Sequence, residues 1–181
     1  MLIDPQNSCL LVVDVQQRLV PAIHEGQRVV DNTAWLMEIA SELSVPTLVS
    51  EQYPKGLGPT VDRLLELTTP EAVVEKLHFS CAASPEARER IDALERQQVV
   101  ITGIEAHVCV LQTALGLAAA GRPVFVVADA VSSRRAQDAE LGLARMRADG
   151  VRVVSREMVA FEWLQQAGTD TFRSISRRFL R

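Results

Sequence analysis

The sequence lacks any apolar run that could cross a membrane as a helix, which would need roughly 18 to 20 consecutive apolar residues. Its N-terminus also lacks the basic start and apolar stretch of a secretory signal peptide. Only three cysteines are present, an odd number without the spacing of a disulfide framework, which favours free thiols in a reducing compartment. These absences predict a cytoplasmic protein.

A dominant charge is missing as well. The chain has 19 basic and 23 acidic residues, a net charge of -4 and no block of like charges, so it lacks the basic footprint that nucleic acids and anionic membranes require. The three histidines show no metal-ligand spacing, and Gly56-Leu57-Gly58 is not a dinucleotide-binding fingerprint. We therefore predict neither a nucleic-acid nor a membrane partner, no metal and no cofactor.

Lysine is almost absent. Of the 19 basic residues, all but two are arginine. Genomic base composition is the simplest cause of such a bias. The two lysines, Lys55 and Lys76, are still notable, since lysine can lower its pKa and exchange a proton when it is desolvated, whereas arginine cannot.

What the sequence does have is 48% apolar residues in 181, enough for one sizeable core and a single domain over residues 1–181. Four short apolar runs predict buried strands: Cys9–Asp14, Thr47–Ser50, Val99–Gly103 and Val124–Ala128. Weaker runs at Ala72–Lys76 and Val151–Val154 predict edge or flanking strands. Helical spacing lies between them, at Val29–Leu43, Ser84–Leu94, Val108–Ala120 and Asp138–Ala148.

This alternation predicts an α/β fold, a three-layer α/β/α Rossmann-like sandwich with a mostly parallel sheet of about six strands. The long irregular stretch Glu51–Thr60 follows the second strand, where loops tend to line the ligand crevice, although a surface turn is an equal alternative. The basic tail Arg173–Arg181 predicts a last amphipathic helix, at a subunit contact.

Three polar side chains follow predicted strands and could meet at one sheet edge. Asp14 closes the first strand, Lys76 closes the third, and Cys109 comes shortly after the fourth, where a helix begins. The carboxyl ends of parallel strands converge on one crevice. A carboxylate, an ammonium and a thiol there are a general base, an orienting cation and a nucleophile. The helix start predicts a lowered thiol pKa for Cys109, and burial predicts a raised pKa for Asp14.

Each of these residues also has a plain structural explanation. Cys109 could be a small side chain packing a helix against the sheet, Asp14 a helix cap, and Lys76 an exposed strand-end lysine. Cys9, inside the first strand, is best explained as an inert core thiol. Cys81 follows a strand and could line the pocket, but its context is less clear than that of Cys109.

The motifs together resemble a known family. Asp14-Val15-Gln16, Lys76 and Gly103-Ile-Glu-Ala-His-Val-Cys109, in that order, resemble the isochorismatase-like cysteine hydrolases over nearly the whole chain. The segments 51–60 and 129–134 resemble more narrowly the isochorismatase domain-containing proteins. The resemblance implies a catalytic triad of Asp14, Lys76 and Cys109.

It further implies a cis peptide between Ile104 and Glu105 and an oxyanion hole formed by the N–H groups of Glu105 and Cys109. The implied activity is hydrolysis of a small amide, carbamoyl or related carbonyl substrate, at C–N bonds other than peptide bonds, through a thioester acyl-enzyme. Homo-oligomers, dimers or larger, are also implied. Together with the loop argument, it predicts these pocket residues: Gln16, Gln52, Tyr53, Phe79, Glu105 and His107.

Two departures leave alternatives open. Nicotinamidases in this superfamily hold a metal through an Asp-x-His pattern after the second strand, where this chain has Ser50-Glu-Gln-Tyr53, so metal-dependent nicotinamidase activity is not expected. Isochorismatases proper cleave a vinyl ether without a cysteine nucleophile, and this reaction remains a second hypothesis. A third is a non-enzymatic scaffold in which Cys109 is oxidised reversibly.

Overall fold

The structure, a computed structural model, describes residues 1–180. A six-stranded sheet forms its centre, and every pairing between adjacent strands is parallel. The strands lie in the order β3-β2-β1-β4-β5-β6. Their bounds are β1 Ser8–Val13, β2 Thr47–Gln52, β3 Val73–Lys76, β4 Gln98–Ile104, β5 Val124–Ser132 and β6 Arg152–Val154. The predicted α/β fold with a parallel sheet is thus confirmed.

Within the described residues, eight α-helices flank the sheet: α1 Gly26–Glu42, α2 Pro54–Leu57, α3 Asp62–Leu65, α4 Pro85–Ala93, α5 Leu111–Ala119, α6 Ala136–Ala148, α7 Arg156–Leu164 and α8 Asp170–Phe179. A π-helical turn, Ala106–Val110, runs directly into α5. The α4 start is encoded locally, because the Ser84 hydroxyl accepts the N–H of Ala87 and Pro85 occupies the first helical position. Within residues 1–180, no helix is long and apolar enough to cross a membrane.

The core has two layers, one on each face of the sheet. Along β1, Leu10 and Val12 pack with α1 and α7, whereas Leu11 and Val13 pack with α4, α5 and α6. Successive side chains of a strand point to opposite faces, and both faces of a parallel sheet are covered. This explains why β1 is apolar throughout rather than alternating with polar residues.

The structure corrects several predicted bounds. The stretch 51–60 is not wholly irregular, since Glu51 and Gln52 continue β2 and Pro54–Leu57 forms the one-turn helix α2. Strand β5 extends past the predicted end at Ala128 to Ser132 and includes Asp129, whose carboxylate accepts the N–H of Arg156. The predicted terminal helix is α8, and Arg181 lies outside the described residues.

Strands β1 and β4 are neighbours at the centre of the sheet, where the strand order reverses. In open α/β sheets, ligands bind at such a switch point, beyond the carboxyl ends of the strands. Gly103 of β4 lies opposite Val13 of β1 and has a φ of +119°. A Cβ there would lie 2.0 Å from the Val13 carbonyl oxygen, so glycine is needed for the backbones to approach this closely.

Replacing Gly103 by alanine should therefore lower the free energy of unfolding by about 2–3 kcal/mol, because the methyl group would force β1 and β4 apart. Urea denaturation measures the loss. The matched control is Gly150→Ala, which also has a positive φ, +87°, but has open space around the added Cβ; it should cost only about 1 kcal/mol. Equal losses in the two variants would show that the close approach at Gly103 does not matter.

Candidate active site

Asp14 and Lys76 form a buried ion pair at the carboxyl end of the sheet. The Lys76 Nζ donates to Asp14 Oδ2 at 2.6 Å, and both side chains have no exposed surface. One strand, β2, separates their attachment points on β3 and after β1, so the lysine side chain extends past β2 to reach the carboxylate. The structure therefore brings together two of the three residues singled out from the sequence.

Strand β2 supplies a partner to each charge. The Ser50 hydroxyl donates to Asp14 Oδ1 at 2.7 Å, and Gln52 Oε1 accepts from Lys76 Nζ at 2.8 Å. The two residues alternate with Glu51, whose carboxylate instead accepts the N–H and hydroxyl of Thr60. The period of two along the strand thus directs Ser50 and Gln52 to the ion pair. Ser50 ends the predicted strand Thr47–Ser50, but the sequence alone indicates no role for it.

Cys109 lies in the π-helical turn after β4, within hydrogen-bonding reach of the Asp14 carboxylate. Only 7% of the residue is exposed. Burial raises the pKa of the Cys109 thiol, the negative charge of Asp14 raises it further, and Lys76 opposes both effects. The lowered thiol pKa expected from the helix start is therefore wrong. The resting thiol is protonated and needs a base.

The pKa of Asp14 shifts in the direction predicted from the sequence. Burial raises the pKa of its carboxyl group, against the stabilising effect of Lys76, Ser50 and Cys109. A base with a raised pKa accepts a proton more readily at neutral pH. Asp14 also has a left-handed backbone, with φ of 54°, and its N–H donates to the Ser50 carbonyl at 3.1 Å.

The segment between β4 and Cys109 contains the implied cis peptide, between Ile104 and Glu105. The Glu105 carboxylate points toward the loop after β5, where it accepts the backbone N–H and the Nε of Arg134 at 2.9 and 3.0 Å. His107 pairs its Nδ1 with the Ser133 hydroxyl at 2.9 Å. Both predicted pocket residues therefore tie this segment to the end of β5.

The other predicted pocket residues occupy different positions. Gln16 is fully buried, and its amide bonds the backbone N–H and carbonyl of Gln52 and the carbonyl of Gly58, so it braces the end of β2. Tyr53 and Phe79 are 51% and 54% exposed, on the loops after β2 and β3. They are free to contact a molecule at the surface.

A cavity of about 540 Å³ lies beside Lys76, at the outer edge of β3. Its lining includes Tyr53, Leu77 and His78, but neither Asp14 nor Cys109. It therefore adjoins Lys76 and does not reach the thiol of Cys109.

The remaining cysteines differ from each other. Cys9 is buried inside β1, and burial raises the pKa of its thiol to about 11, as expected of an inert core residue. Cys81 is also fully buried, but it lies beside the ion pair, and burial followed by the charge of Asp14 raises its pKa. All three thiols are free. Among residues 1–180, no group of three or more His, Cys, Asp or Glu side chains could hold a metal ion.

Residues 8–158 match the model of the isochorismatase domain. The chain belongs to the isochorismatase family. A curated relative, isochorismatase domain-containing protein 2 of Danio rerio, is 37% identical over 95% of this chain and 86% of the relative. Isochorismatase domain-containing protein 2A of Mus musculus is 36% identical over 96% of this chain and 82% of the relative.

Solved structures agree with this assignment. The structure described as the MAR1 ribonuclease of Caenorhabditis elegans is 34% identical, with a TM-score of 0.92 over 100% of this chain and 93% of the other. The YcaC gene product of Escherichia coli, described as an octameric hydrolase of unknown specificity, has the same TM-score at 21% identity, over 99% and 91% of the two chains. The chain thus has the fold of the isochorismatase-family hydrolases.

Proposed function

We propose that this isochorismatase-family chain is a cysteine hydrolase that cleaves the C–N bond of a small amide or carbamoyl compound. The observation that supports the proposal is the placement of one carboxylate, Asp14, against both the buried ammonium of Lys76 and the thiol of Cys109. These three groups are a base, a cation and a nucleophile, the set that acyl transfer through a thioester requires.

In the first half-reaction, Asp14 takes the proton of the Cys109 thiol as the sulfur attacks the substrate carbonyl carbon. The N–H groups of Glu105 and Cys109 stabilise the resulting oxyanion. The C–N bond then breaks, the protonated Asp14 gives its proton to the leaving nitrogen, and a thioester with Cys109 remains. Lys76 holds the carboxylate in place throughout.

In the second half-reaction, water attacks the thioester carbonyl and Asp14 takes its proton. The C–S bond breaks, Asp14 returns the proton to the sulfur, and a carboxylic acid, or a carbamic acid from a carbamoyl substrate, leaves. A protonated resting thiol is consistent with this mechanism. The Cys109 thiol must lose its proton to become a nucleophile, and Asp14 is the base that accepts it.

The triad predicts opposite shifts in the pH dependence of Cys109 alkylation. Asp14→Asn should move the midpoint to lower pH, because the negative charge that raises the thiol pKa is gone, and Lys76→Met should move it to higher pH. Each shift should be about 1–3 units. Acrylamide is a suitable small reagent, since a YcaC structure from Pseudomonas aeruginosa is described with covalent acrylamide. Mass spectrometry would follow Cys9 as the internal control. A Cys109 midpoint that ignores both substitutions would refute the triad.

RNA hydrolysis is a second candidate, favoured by the solved relative described as a ribonuclease. The net charge of -4 and the burial of Cys109, Asp14 and Lys76 favour a small substrate instead. Single-stranded RNA therefore belongs in the substrate panel, with the Cys109→Ala protein as its control.

We also propose that residues 1–181 form one domain that assembles into homo-oligomers in the cytoplasm. Large apolar side chains remain exposed at Tyr53, Leu77, Phe79, Met158 and Phe161, which supports self-association. The three free thiols support a reducing compartment.

A further inference from the structure

A path of neighbouring residues leads from Asp14, through Ser50 and Cys81 outside the proposed triad, to Thr113 on α5. The Ser50 hydroxyl donates to Asp14 at 2.7 Å, the buried Cys81 thiol lies near Ser50, and the Cys81 N–H donates to the Thr113 hydroxyl at 2.9 Å. Thr113 lies four residues after Cys109 on the same helical segment. The path therefore ends on the helical segment that carries the nucleophile.

Ser50 holds Asp14 at two points. Its carbonyl accepts the Asp14 N–H at 3.1 Å, which supports the left-handed backbone of that residue. Its hydroxyl donates to Oδ1 at 2.7 Å, while Lys76 donates to Oδ2. Both carboxylate oxygens are thereby held in fixed directions.

The Cys81 thiol is the next group along this path. The single hydroxyl proton of Ser50 is directed to Asp14, so its oxygen is left to accept a proton from the Cys81 thiol. This thiol has no exposed surface, and burial together with the Asp14 charge keeps it protonated by raising its pKa. The Cys81 backbone N–H donates to Thr113 Oγ1 at 2.9 Å, which attaches the loop after β3 to α5.

We propose that Ser50 and Cys81 are positioning residues that fix the Asp14 base relative to the Cys109 nucleophile. The proposal rests on the proposed hydrolase mechanism and adds two residues to it. In this arrangement the Cys81 S–H donates to Ser50, and the Ser50 O–H donates to Asp14. The titratable groups that face Asp14 are then Lys76 from β3, Cys81 from the following loop and Cys109 from the π-helical turn.

The test is a direct titration of Asp14 by carbon-13 NMR in protein labelled at the aspartate carboxyl carbon. The Asp14 signal is the one that disappears in Asp14→Asn. Ser50→Ala should raise the Asp14 pKa by about 1 unit or more, since a hydrogen bond to the charged form is lost. Ser50→Thr, which keeps the hydroxyl, should return the pKa toward its original value. An unchanged Asp14 pKa in Ser50→Ala would overturn the role of Ser50.

Cys81→Ala should raise the Asp14 pKa by less than Ser50→Ala does, because the hydroxyl remains but is no longer held in one direction. Cys81→Ser restores a donor and should reverse this shift; equal values in the two variants would overturn the role of Cys81. This pair also carries the test if Ser50→Ala does not fold.

The matched controls are Ser132→Ala, a buried serine at the end of β5 that donates to the His24 carbonyl, and Cys9→Ala in β1. Both should leave the Asp14 pKa unchanged. The alkylation experiment with Asp14→Asn tests the triad independently of the positioning roles of Ser50 and Cys81. If Cys109 responds to Asp14→Asn and Asp14 does not respond to Ser50→Ala, the positioning roles fail and the proposed triad stands.

Discussion

Replacing Lys76 by methionine should lower the free energy of unfolding at pH 7 by about 3–5 kcal/mol, because the substitution leaves the Asp14 carboxylate buried without its cation. Methionine has nearly the length of lysine, so the loss reports the charge rather than a large cavity. Urea denaturation, with a circular dichroism signal for secondary structure, measures it. The exposed pair of Arg88 and Asp92 is the matched control, since removing it with Arg88→Met should cost less than about 1 kcal/mol.

The pH dependence gives a second check on this prediction. Without Lys76, the folded-state pKa of Asp14 rises further above its unfolded-state value. For an acid this means that the folded state binds the proton more tightly, so stability is highest below about pH 4 and is lost as the pH rises through the folded-state pKa. The deficit of Lys76→Met should therefore shrink on acidification. A deficit that is constant with pH would indicate a packing defect.

Adding Asp14→Asn to Lys76→Met should recover part of the lost stability, because the uncompensated charge is removed. Asparagine tolerates the left-handed backbone that Asp14 adopts. The double variant thus separates the cost of an unpaired charge from the cost of altered side-chain shape. If it is as unstable as the sum of the two single variants, the charges do not interact as the structure indicates.

Much of the fold could be predicted because buried parallel strands are apolar on both faces. The runs at Cys9–Asp14 and Val99–Gly103 correspond to β1 and β4. Helix α7 was missed although its signal is present, with Ser155 as its cap and Val159, Trp163 and Leu164 buried on one side. Helices α2 and α3, of four residues each, are too short to show a helical period.

The site was predictable where a strand ends in a polar residue, as at Asp14 and Lys76. Its protonation state was not. A helix start indicates a lowered thiol pKa, whereas burial and the neighbouring carboxylate raise the pKa of Cys109. The sequence does not give the distances that decide which of these opposing effects is larger. The proximity of Ser50, Cys81 and Thr113 could not be predicted either, because these residues come from β2, a loop and α5 and form no sequence motif.

Turnover of any substrate found should fall by about four orders of magnitude or more in Cys109→Ala, because the atom that forms the acyl bond is gone. The side chain is small and the residue lies near the surface of the core, so the fold should survive, as thermal unfolding would show. Cys9→Ala is the matched control, a buried cysteine of β1 that lies away from the ion pair, and its turnover should be unchanged.

The same variant separates the competing reactions. An amide or carbamoyl substrate should give a thioester that is trapped on Cys109 by rapid acid quenching and detected by mass spectrometry. Full activity in Cys109→Ala with release of pyruvate would instead establish vinyl-ether hydrolysis, which needs no sulfur nucleophile. RNA cleavage that depends on Cys109 would favour the ribonuclease activity named for the solved relative. A nucleophilic cysteine predicts that loss of turnover and loss of the trapped adduct occur together in Cys109→Ala, and that neither occurs in Cys9→Ala.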